Sequence, residues 1–232
     1  MARYDFRTQR LFTGAALMPG AEVSPAPEQL HYLRNVLRLG IGAPVLLFNG
    51  RDGEWLAEIA EIGRREATLR LIEQTREQTA PGDLHYLFAP LKRARMDFMV
   101  QKATEMGASR LQPVMTARTV AERVKPERLR ANIIEAAEQC GVLAVPELGE
   151  PVTLNKLVGG WDPARALIMC DEAAEGEGPL SSLSRLKPGP LAVLVGPEGG
   201  FAPEERDLLR RLPVLTVISL GPRILRADTA AI

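Results

Sequence analysis

The sequence predicts an α/β protein in two parts, a small β-rich domain followed by a larger domain with a mostly parallel sheet. In the first third, apolar residues alternate with a period of two; from about residue 84, short apolar runs alternate with helical patterns. A polar segment that ends in Pro81 and Gly82 separates the two patterns. We therefore expect a β-barrel or sandwich in residues 1–73, a linker in residues 74–83 and an α/β domain in residues 84–232.

The N-terminal pattern predicts a hairpin and a further strand. An apolar run at residues 45–48 precedes the turn-rich sequence NGRDG, and Trp55, Ala57 and Ile59 then alternate on one face. Residues 67–71 continue the same alternation, which indicates the next strand of a barrel or sandwich.

The C-terminal domain shows strands and helices in alternation. Gly107 and Gly141 follow helical patterns at the position of a C-terminal cap, and Pro126 suits a first helical turn. Strands are predicted at LHYLFAPL, RLQPVMT, RALIMCDE, GPLAVLVG and VLTVISLG, and helices at MDFMVQKATEMG, KPERLRANIIEAAEQCG and APEERDLLRRL.

Composition narrows the class of function. The net charge is +0, without the excess of basic residues that many nucleic-acid-binding proteins have. A nucleic acid would therefore have to bind a local cluster of basic residues. Cys140 and Cys170 are too few and too far apart for a disulfide framework or a zinc cluster, and His31 and His85 add no ligand spacing, so no metal is expected. The charged N-terminus and the absence of a membrane-length apolar run predict a cytoplasmic protein.

A glycine-rich loop, LVGPEGGF at residues 194–201, lies between a predicted strand and a predicted helix. This position is at the carboxyl edge of the sheet, where open α/β folds bind ligands. Phe201 and Ala202 stand where a phosphate-binding loop needs lysine and a hydroxyl residue, and Glu198 would repel a phosphate. The loop therefore favours an uncharged or positively charged ligand such as adenosine or a sulfonium; the alternative is a tight turn that binds nothing.

A second loop, SLGPRILRADTA at residues 219–230, also follows a strand-like run that ends in Gly-Pro. It carries Arg223 and Arg226 where the first loop carries a carboxylate. Because it follows the next strand along the chain, we expect the two loops to meet at adjacent strand ends and to form one pocket. The arginines would then face an anionic or electron-rich partner. For each arginine the alternative is a surface ion pair.

At these loops the sequence resembles the ribosomal RNA small subunit methyltransferase E family, of the SPOUT class of knotted methyltransferases. LVGPEGGFAPEE and LGPRILRADTAA match its paired C-terminal signatures, and HYLRNVLRLGIG, QKATEMGAS and AAEQCG before VPEL follow in the family's order. The resemblance implies a PUA-like β-barrel that helps to bind RNA, an α/β domain with a deep trefoil knot, and a homodimer. It also implies methyl transfer from S-adenosylmethionine to N3 of a uridine in the decoding region of 16S ribosomal RNA.

The resemblance also assigns residues to the cofactor and the target base. Arg226 would face the base and stabilise negative charge on the uracil carbonyls once the N3 proton leaves. Glu198 is either the proton acceptor or a cap for loop amides. The expected cofactor residues are Leu194, Gly196, Pro197, Glu198, Gly199, Gly200, Leu220, Gly221, Pro222 and Leu225.

Two segments are expected to contact RNA. His31, Arg34 and Arg38 match the family's N-terminal motif. The alternative is that these polar side chains only face solvent beside a packed element and contact no RNA. Residues 92–130 are locally basic and suit a phosphate track, with solvated helix faces as the alternative. Its cations are Lys92, Arg93, Arg95, Lys102, Arg110, Arg118, Arg123, Lys125, Arg128 and Arg130; Lys92, Arg95 and Arg118, together with Arg223, are the predicted RNA contacts.

The chain departs from the family pattern in two places. Val142 follows Gly141 where the family has arginine, so a contact made by that arginine is not carried over. The resemblance also implies a final helix that continues past Ile232. Two other functions fit the same loops: an RNA-binding assembly factor that transfers no methyl group, and a related enzyme that acts on a ribose hydroxyl or another base.

Overall fold

The structure, a computed structural model, describes residues 7–120, 124–174, 178–223 and 225–231. Arg123, predicted as part of the basic track, lies outside these residues. The chain forms two compact units, one of residues 1–80 and 137–145 and the other of residues 81–136 and 146–232. Within the described part, no helix has the length and apolar character needed to cross a membrane.

The first unit is built on a five-stranded sheet in the order β1-β3-β4-β5-β2. Strands β3 and β4 form the predicted hairpin, with Leu47 opposite Trp55, and only β1 pairs in parallel, with β3. A short helix α1 leads into a π-helical turn. The bounds are β1 (Arg10–Phe12), β2 (Glu22–Val23), α1 (Pro27–His31), the π-helical turn (Tyr32–Val36), β3 (Pro44–Phe48), β4 (Glu54–Ile62) and β5 (Ala67–Arg76).

One face of this sheet supplies the core. Trp55, Ala57 and Ile59 are all buried, as their alternation predicts, and they pack with residues from every other strand. Strand β5 continues to Arg76, three residues into the segment expected to be a linker. The boundary between the predicted domains stays a prediction.

Two arginines hold a buried carboxylate in this unit. Glu54 accepts from Arg10 Nε at 2.6 Å and from Arg76 Nη2 at 2.9 Å. Burial alone would raise the pKa of Glu54, but the hydrogen bonds from the two arginines outweigh it and hold the pKa below its ordinary value. The carboxylate therefore joins β1, β4 and β5 in its charged form.

Residues 137–145 complete the first unit. The Glu138 carboxylate accepts from the Phe12 amide at 2.8 Å, and Leu143 packs with Phe48 in a small apolar cluster. Val142, which replaces the arginine of the family pattern, is half-buried against the same cluster. In this chain the position therefore serves packing.

The second unit has a seven-stranded sheet in which every observed pairing is parallel. Its order is β12-β10-β11-β6-β7-β8, with β9 also paired to β7. The strands are β6 (Leu84–Phe88), β7 (Arg110–Met115), β8 (Glu147–Leu148), β9 (Val152–Thr153), β10 (Ala166–Cys170), β11 (Leu191–Val195) and β12 (Leu215–Ile218).

The remaining helices are α2 (Arg93–Glu105), α3 (Pro126–Cys140), α4 (Leu154–Gly159), α5 (Pro179–Leu183), α6 (Pro203–Arg210) and α7 (Ala227–Ala230). Helices α2 and α3 are each followed by a glycine with positive φ, Gly107 at 88° and Gly141 at 66°. This left-handed backbone suits glycine and confirms the predicted helix ends. The predicted α/β class is also confirmed.

The order of the strands corrects one expectation. Strands β11 and β12 are not neighbours, because β10 lies between them and pairs with both. The two sequence loops therefore meet across the end of β10. The residues that follow Cys170 become part of the same edge of the sheet.

Candidate cofactor and RNA site

A pocket lies at the carboxyl ends of β10, β11 and β12. The open space within it is about 510 Å³, including the part open to solvent. The residues that line it are Cys170, Asp171, Glu172, Val195, Gly196, Pro197, Ser219, Leu220, Gly221, Arg223, Leu225, Ala227 and Ala230. The Cys170 thiol is partly buried, which raises its pKa to about 11.

The pocket brings together half of the predicted cofactor residues: Gly196, Pro197, Leu220, Gly221 and Leu225 line it. The other five, Leu194, Glu198, Gly199, Gly200 and Pro222, do not. Leu194 is fully buried and packs its side chain into the core of the sheet. The cofactor roles of all ten residues stay predictions.

Close packing fixes the glycine-rich loop. A Cβ atom on Gly196 would come within 2.7 Å of the ring of Phe201, which is fully buried. Gly200 has φ of 66°, and a Cβ there would collide with the Glu172 carboxylate. The loop ends where helix α6 begins, and Glu205 Oε2 accepts from the Ala202 amide at 2.9 Å. Both glycines are therefore required by the path of the backbone.

A buried ion pair supports this edge of the sheet. Arg206 Nε donates to Asp171 Oδ2 at 2.7 Å and its Nη2 donates to Oδ1 at 2.8 Å. These hydrogen bonds hold the pKa of Asp171 below its ordinary value, although burial opposes the shift. Arg206 also donates to the Phe201 carbonyl at 2.6 Å and to Glu172 Oε1 at 3.1 Å.

No sequence motif indicates this cluster. One signal was present, since Asp171 and Glu172 form an acidic pair directly after a predicted buried strand. Nothing local to the sequence links them to Arg206, which lies 35 residues from Asp171.

Glu198 forms an ion pair with Arg95 of helix α2. The Arg95 Nε atom also lies 4.0 Å from Asp228 Oδ2, while Asp228 Oδ1 is buried with no hydrogen-bond partner in the described part of the chain. Among the described residues no loop amide donates to Glu198, so the expected capping is not observed. The structure thus joins two residues for which the sequence suggested separate roles.

The two arginines of the second loop are exposed. Arg223 lines the pocket, and Arg226 precedes helix α7, whose residues Ala227 and Ala230 also line it. Across the residues that the structure describes, neither guanidinium forms an ion pair. Both are therefore open to an incoming ligand.

The other predicted RNA contacts of the second unit are exposed or partly exposed. Arg118 Nη1 donates to the Gly199 carbonyl at 2.7 Å, so it reaches the glycine-rich loop. Lys92 lines a second, wider cleft of about 1530 Å³, including open solvent, together with Lys125 and Arg128. Arg128 is paired with Asp97, which leaves the lysines as the open cations among these three residues.

His31, Arg34 and Arg38 are exposed on the first unit. His31 Nδ1 shares a 2.9 Å hydrogen bond with Asn35, and Arg38 has a positive φ of 55°, which is uncommon for a residue other than glycine. The π-helical turn between them is a feature that often marks functional sites. Their contact with RNA stays a prediction.

Two family models match the chain. The model for the RNA methyltransferase domain covers residues 78–232, and the model for the RNA methyltransferase PUA domain covers residues 26–72. These matches identify the class of protein as an RNA methyltransferase with a PUA domain.

Among curated relatives, the ribosomal RNA small subunit methyltransferase E of Rickettsia conorii is 32% identical over 225 residues, covering 96% of this chain and 91% of the relative. The Synechocystis protein of the same name is 32% identical over 216 residues, 90% of this chain and 70% of its own. The chain belongs to the ribosomal RNA small subunit methyltransferase E family.

Solved structures agree with this family. A putative methyltransferase from Legionella pneumophila, in complex with S-adenosylmethionine, has a TM-score of 0.86 at 31% identity. The methyltransferase E of Neisseria gonorrhoeae, also bound to S-adenosylmethionine, has a TM-score of 0.84 at 25% identity. Each match covers 97% of this chain and 94% of the other. The predicted PUA-like barrel and SPOUT α/β-knot domain are confirmed as the fold class.

The pocket of this chain fits S-adenosylmethionine. Val195, Leu220 and Leu225 give it an apolar wall, which suits an adenine ring. Gly221 has no atom within 4 Å of the place its Cβ would take, so the backbone stands open to a ligand. Carboxylates at the end of β10 complement a cofactor that carries hydroxyls and a sulfonium.

Proposed function

We propose that the protein methylates ribosomal RNA of the small subunit with S-adenosylmethionine as the methyl donor. The observation that carries the proposal is the pocket at the ends of β10, β11 and β12, lined by Arg223 and followed along the chain by exposed Arg226, neither of which forms an ion pair among the described residues. The names of the relatives and the cofactor bound in the solved neighbours support it.

The finer proposal is that the target is N3 of a uridine in the decoding region of 16S ribosomal RNA. It rests on the two loop signatures, LVGPEGGFAPEE and LGPRILRADTAA, which resemble those of the family. A cytoplasmic location and a homodimer are parts of the same proposal.

The N3 atom of uridine carries a proton that has to leave before nitrogen can attack a methyl group. S-adenosylmethionine supplies that methyl group on a positively charged sulfur. In the proposed mechanism the Arg226 guanidinium lies against the uracil carbonyls and stabilises the negative charge that develops there. The pocket residues hold the methyl donor in line with the nitrogen.

The proton acceptor is proposed among the carboxylates beside α7. Glu198 is the candidate that the sequence indicates, and its contact with Arg95 means that this pair must open before Glu198 takes a proton. The freed Arg95 could then meet a phosphate of the RNA, as the sequence predicts for that residue. Opening of the pair would link RNA binding to proton removal.

Exposed cations in each of the two units are proposed to contact the RNA. They are His31, Arg34, Arg38, Lys92, Arg95, Arg118 and Arg223. The wide cleft beside Lys92 and Lys125 offers room for a nucleotide with its phosphate. A target base inside structured RNA also has to turn out of its stack to reach the pocket.

The test is nucleoside mass spectrometry on unmethylated small ribosomal subunits incubated with the protein and deuterated S-adenosylmethionine. We expect deuterium in 3-methyluridine. Deuterium in another nucleoside would support methyl transfer by the protein but contradict N3 of uridine as the target. Absence of both label and cofactor binding would favour the alternative, an RNA-binding assembly factor of the same fold that transfers no methyl group.

A further inference from the structure

Glu172 places a carboxylate in the pocket that no sequence motif indicated. Its neighbour Asp171 has both oxygens engaged by Arg206, at 2.7 and 2.8 Å. Glu172 Oε1 accepts from Arg206 Nη2 at 3.1 Å, no described residue donates to its Oε2 atom, and its side chain is 47% exposed. Within the described lining, Glu172 is thus the acidic residue with an oxygen left for a ligand.

The carboxylate of Glu172 is held from two sides. Arg206 is itself fixed by Asp171 and by the Phe201 carbonyl at 2.6 Å, so its Nη2 atom has little freedom. On the other side the carboxylate lies against Gly200, where a Cβ atom would overlap it. The Oε2 atom therefore has a defined position, and no donor among the described residues occupies it.

We propose that Glu172 accepts hydrogen bonds from the ribose hydroxyls of the cofactor, with Arg206 as the residue that positions it. This inference rests on the proposed function. In open α/β sheets a nucleoside ligand lies across the carboxyl ends of the strands, and a carboxylate there can accept from its ribose. Such bonds are charge-assisted and stronger than those between neutral groups.

The rest of the pocket supports this orientation. Leu220 and Leu225 form the apolar part that suits adenine, which leaves the polar side of the pocket for the ribose. The Ser219 hydroxyl already donates to the Gly221 carbonyl at 3.2 Å. Arg223 can only donate hydrogen bonds, so it cannot accept from a hydroxyl.

The test measures binding rather than turnover. Calorimetry compares S-adenosylhomocysteine with its 2′-deoxy and 3′-deoxy analogues, on the wild type and on Glu172→Ala. Loss of the critical hydroxyl should weaken binding to the wild type about tenfold, the usual effect of a hydrogen bond to a charged group. For Glu172→Ala the same loss should change affinity less than about twofold.

Two further variants sharpen the result. Glu172→Gln keeps the size of the side chain and one acceptor oxygen but removes the charge. The loss of affinity on removal of the ribose hydroxyl should therefore lie between the losses for the wild type and for Glu172→Ala. Asp207→Asn removes a carboxylate from the exposed face of α6, and it should behave as the wild type. Thermal unfolding of each variant, measured in parallel, checks that any change in affinity does not come from loss of the folded state.

The outcomes separate this inference from the proposed function. Equal hydroxyl dependence in the wild type and in Glu172→Ala would overturn the role of Glu172 and leave the cofactor assignment intact. A wild-type protein that binds neither S-adenosylmethionine nor S-adenosylhomocysteine would overturn both.

Discussion

Arg206 and Arg226 have opposite environments although both lie near the same pocket. Arg206 is hydrogen-bonded to Asp171, Glu172 and the Phe201 carbonyl, so it holds the end of β10 and the glycine-rich loop in position. Arg226 is exposed and forms no ion pair within the described residues. Substitutions at the two positions should therefore affect different properties.

Replacement of Arg226 by alanine should lower single-turnover methyl transfer about 10²- to 10³-fold, the usual cost of losing one charge-stabilising donor. Affinity for S-adenosylmethionine, measured by calorimetry, should stay within about twofold because no described contact of the pocket depends on this side chain. Arg210→Ala, on the exposed face of α6, is the control and should leave both values unchanged. Equal loss of turnover and cofactor affinity would contradict the role given to Arg226.

Asp171 should contribute to acid sensitivity. Because Arg206 holds its pKa below the ordinary value, the folded state binds fewer protons than the unfolded state near pH 4. This stabilisation is complete above the unfolded pKa of about 4 and is lost as the pH falls through the lower folded pKa. The free energy of unfolding in urea, measured from pH 3 to pH 6, should therefore fall less steeply for Asp171→Asn than for the wild type. Parallel curves would show that the pair does not titrate in this range.

The sequence could reveal some of these residues and not others. Arg223 stands in a loop whose order of residues resembles a known family, so its place beside the pocket could be predicted. The pair of Asp171 and Arg206 joins a strand end to a helix across 35 residues. Their partnership depends on tertiary packing, which periodicity and local motifs do not encode.

Individual elements differ in how well the sequence predicts them. Strands β4 and β5 are long, and each buries alternate residues, so a period of two identifies them. Strands β8 and β9 have two residues each, which is too short to show any period. The position of β10 between β11 and β12 was also missed, because sequence order does not fix the order of strands in a parallel sheet.

The turn between β11 and α6 should tolerate no side chain at Gly196. The buried ring of Phe201 leaves 2.7 Å for a Cβ atom, so Gly196→Ala must shift the loop. We expect affinity for S-adenosylmethionine to fall about tenfold or more and the free energy of unfolding to fall by about 1–3 kcal/mol. Gly82→Ala is the matched control, since no atom lies within 4 Å of its Cβ position. Normal cofactor affinity in Gly196→Ala would contradict the proposed pocket.

At the scale of the whole molecule, the first unit is assembled from two separate stretches of chain. Residues 137–145 supply Glu138 to the Phe12 amide and Leu143 to the cluster around Phe48. A fragment that ends at residue 80 would lack both contacts. The first unit therefore needs residues 137–145 in addition to the continuous N-terminal stretch for its full set of contacts.

A fragment of residues 1–80 should unfold at lower urea concentration than the same unit in the whole protein. The expected loss is about 2 kcal/mol or more, from an unsatisfied amide and an uncovered apolar cluster. Trp55 fluorescence reports on this unit, and Trp161→Phe removes the second tryptophan from the whole protein. Equal urea midpoints would show that residues 137–145 add no stability.

The two cysteines differ in a way that has a practical use. Cys140 is exposed, whereas the Cys170 thiol at the pocket wall is partly buried with a pKa near 11. Since the thiolate is the reactive form, a maleimide at neutral pH should attach to Cys140 and spare Cys170. Peptide mapping after a short exposure would check this selectivity. The native sequence then carries one fluorophore, at Cys140, without any engineered thiol.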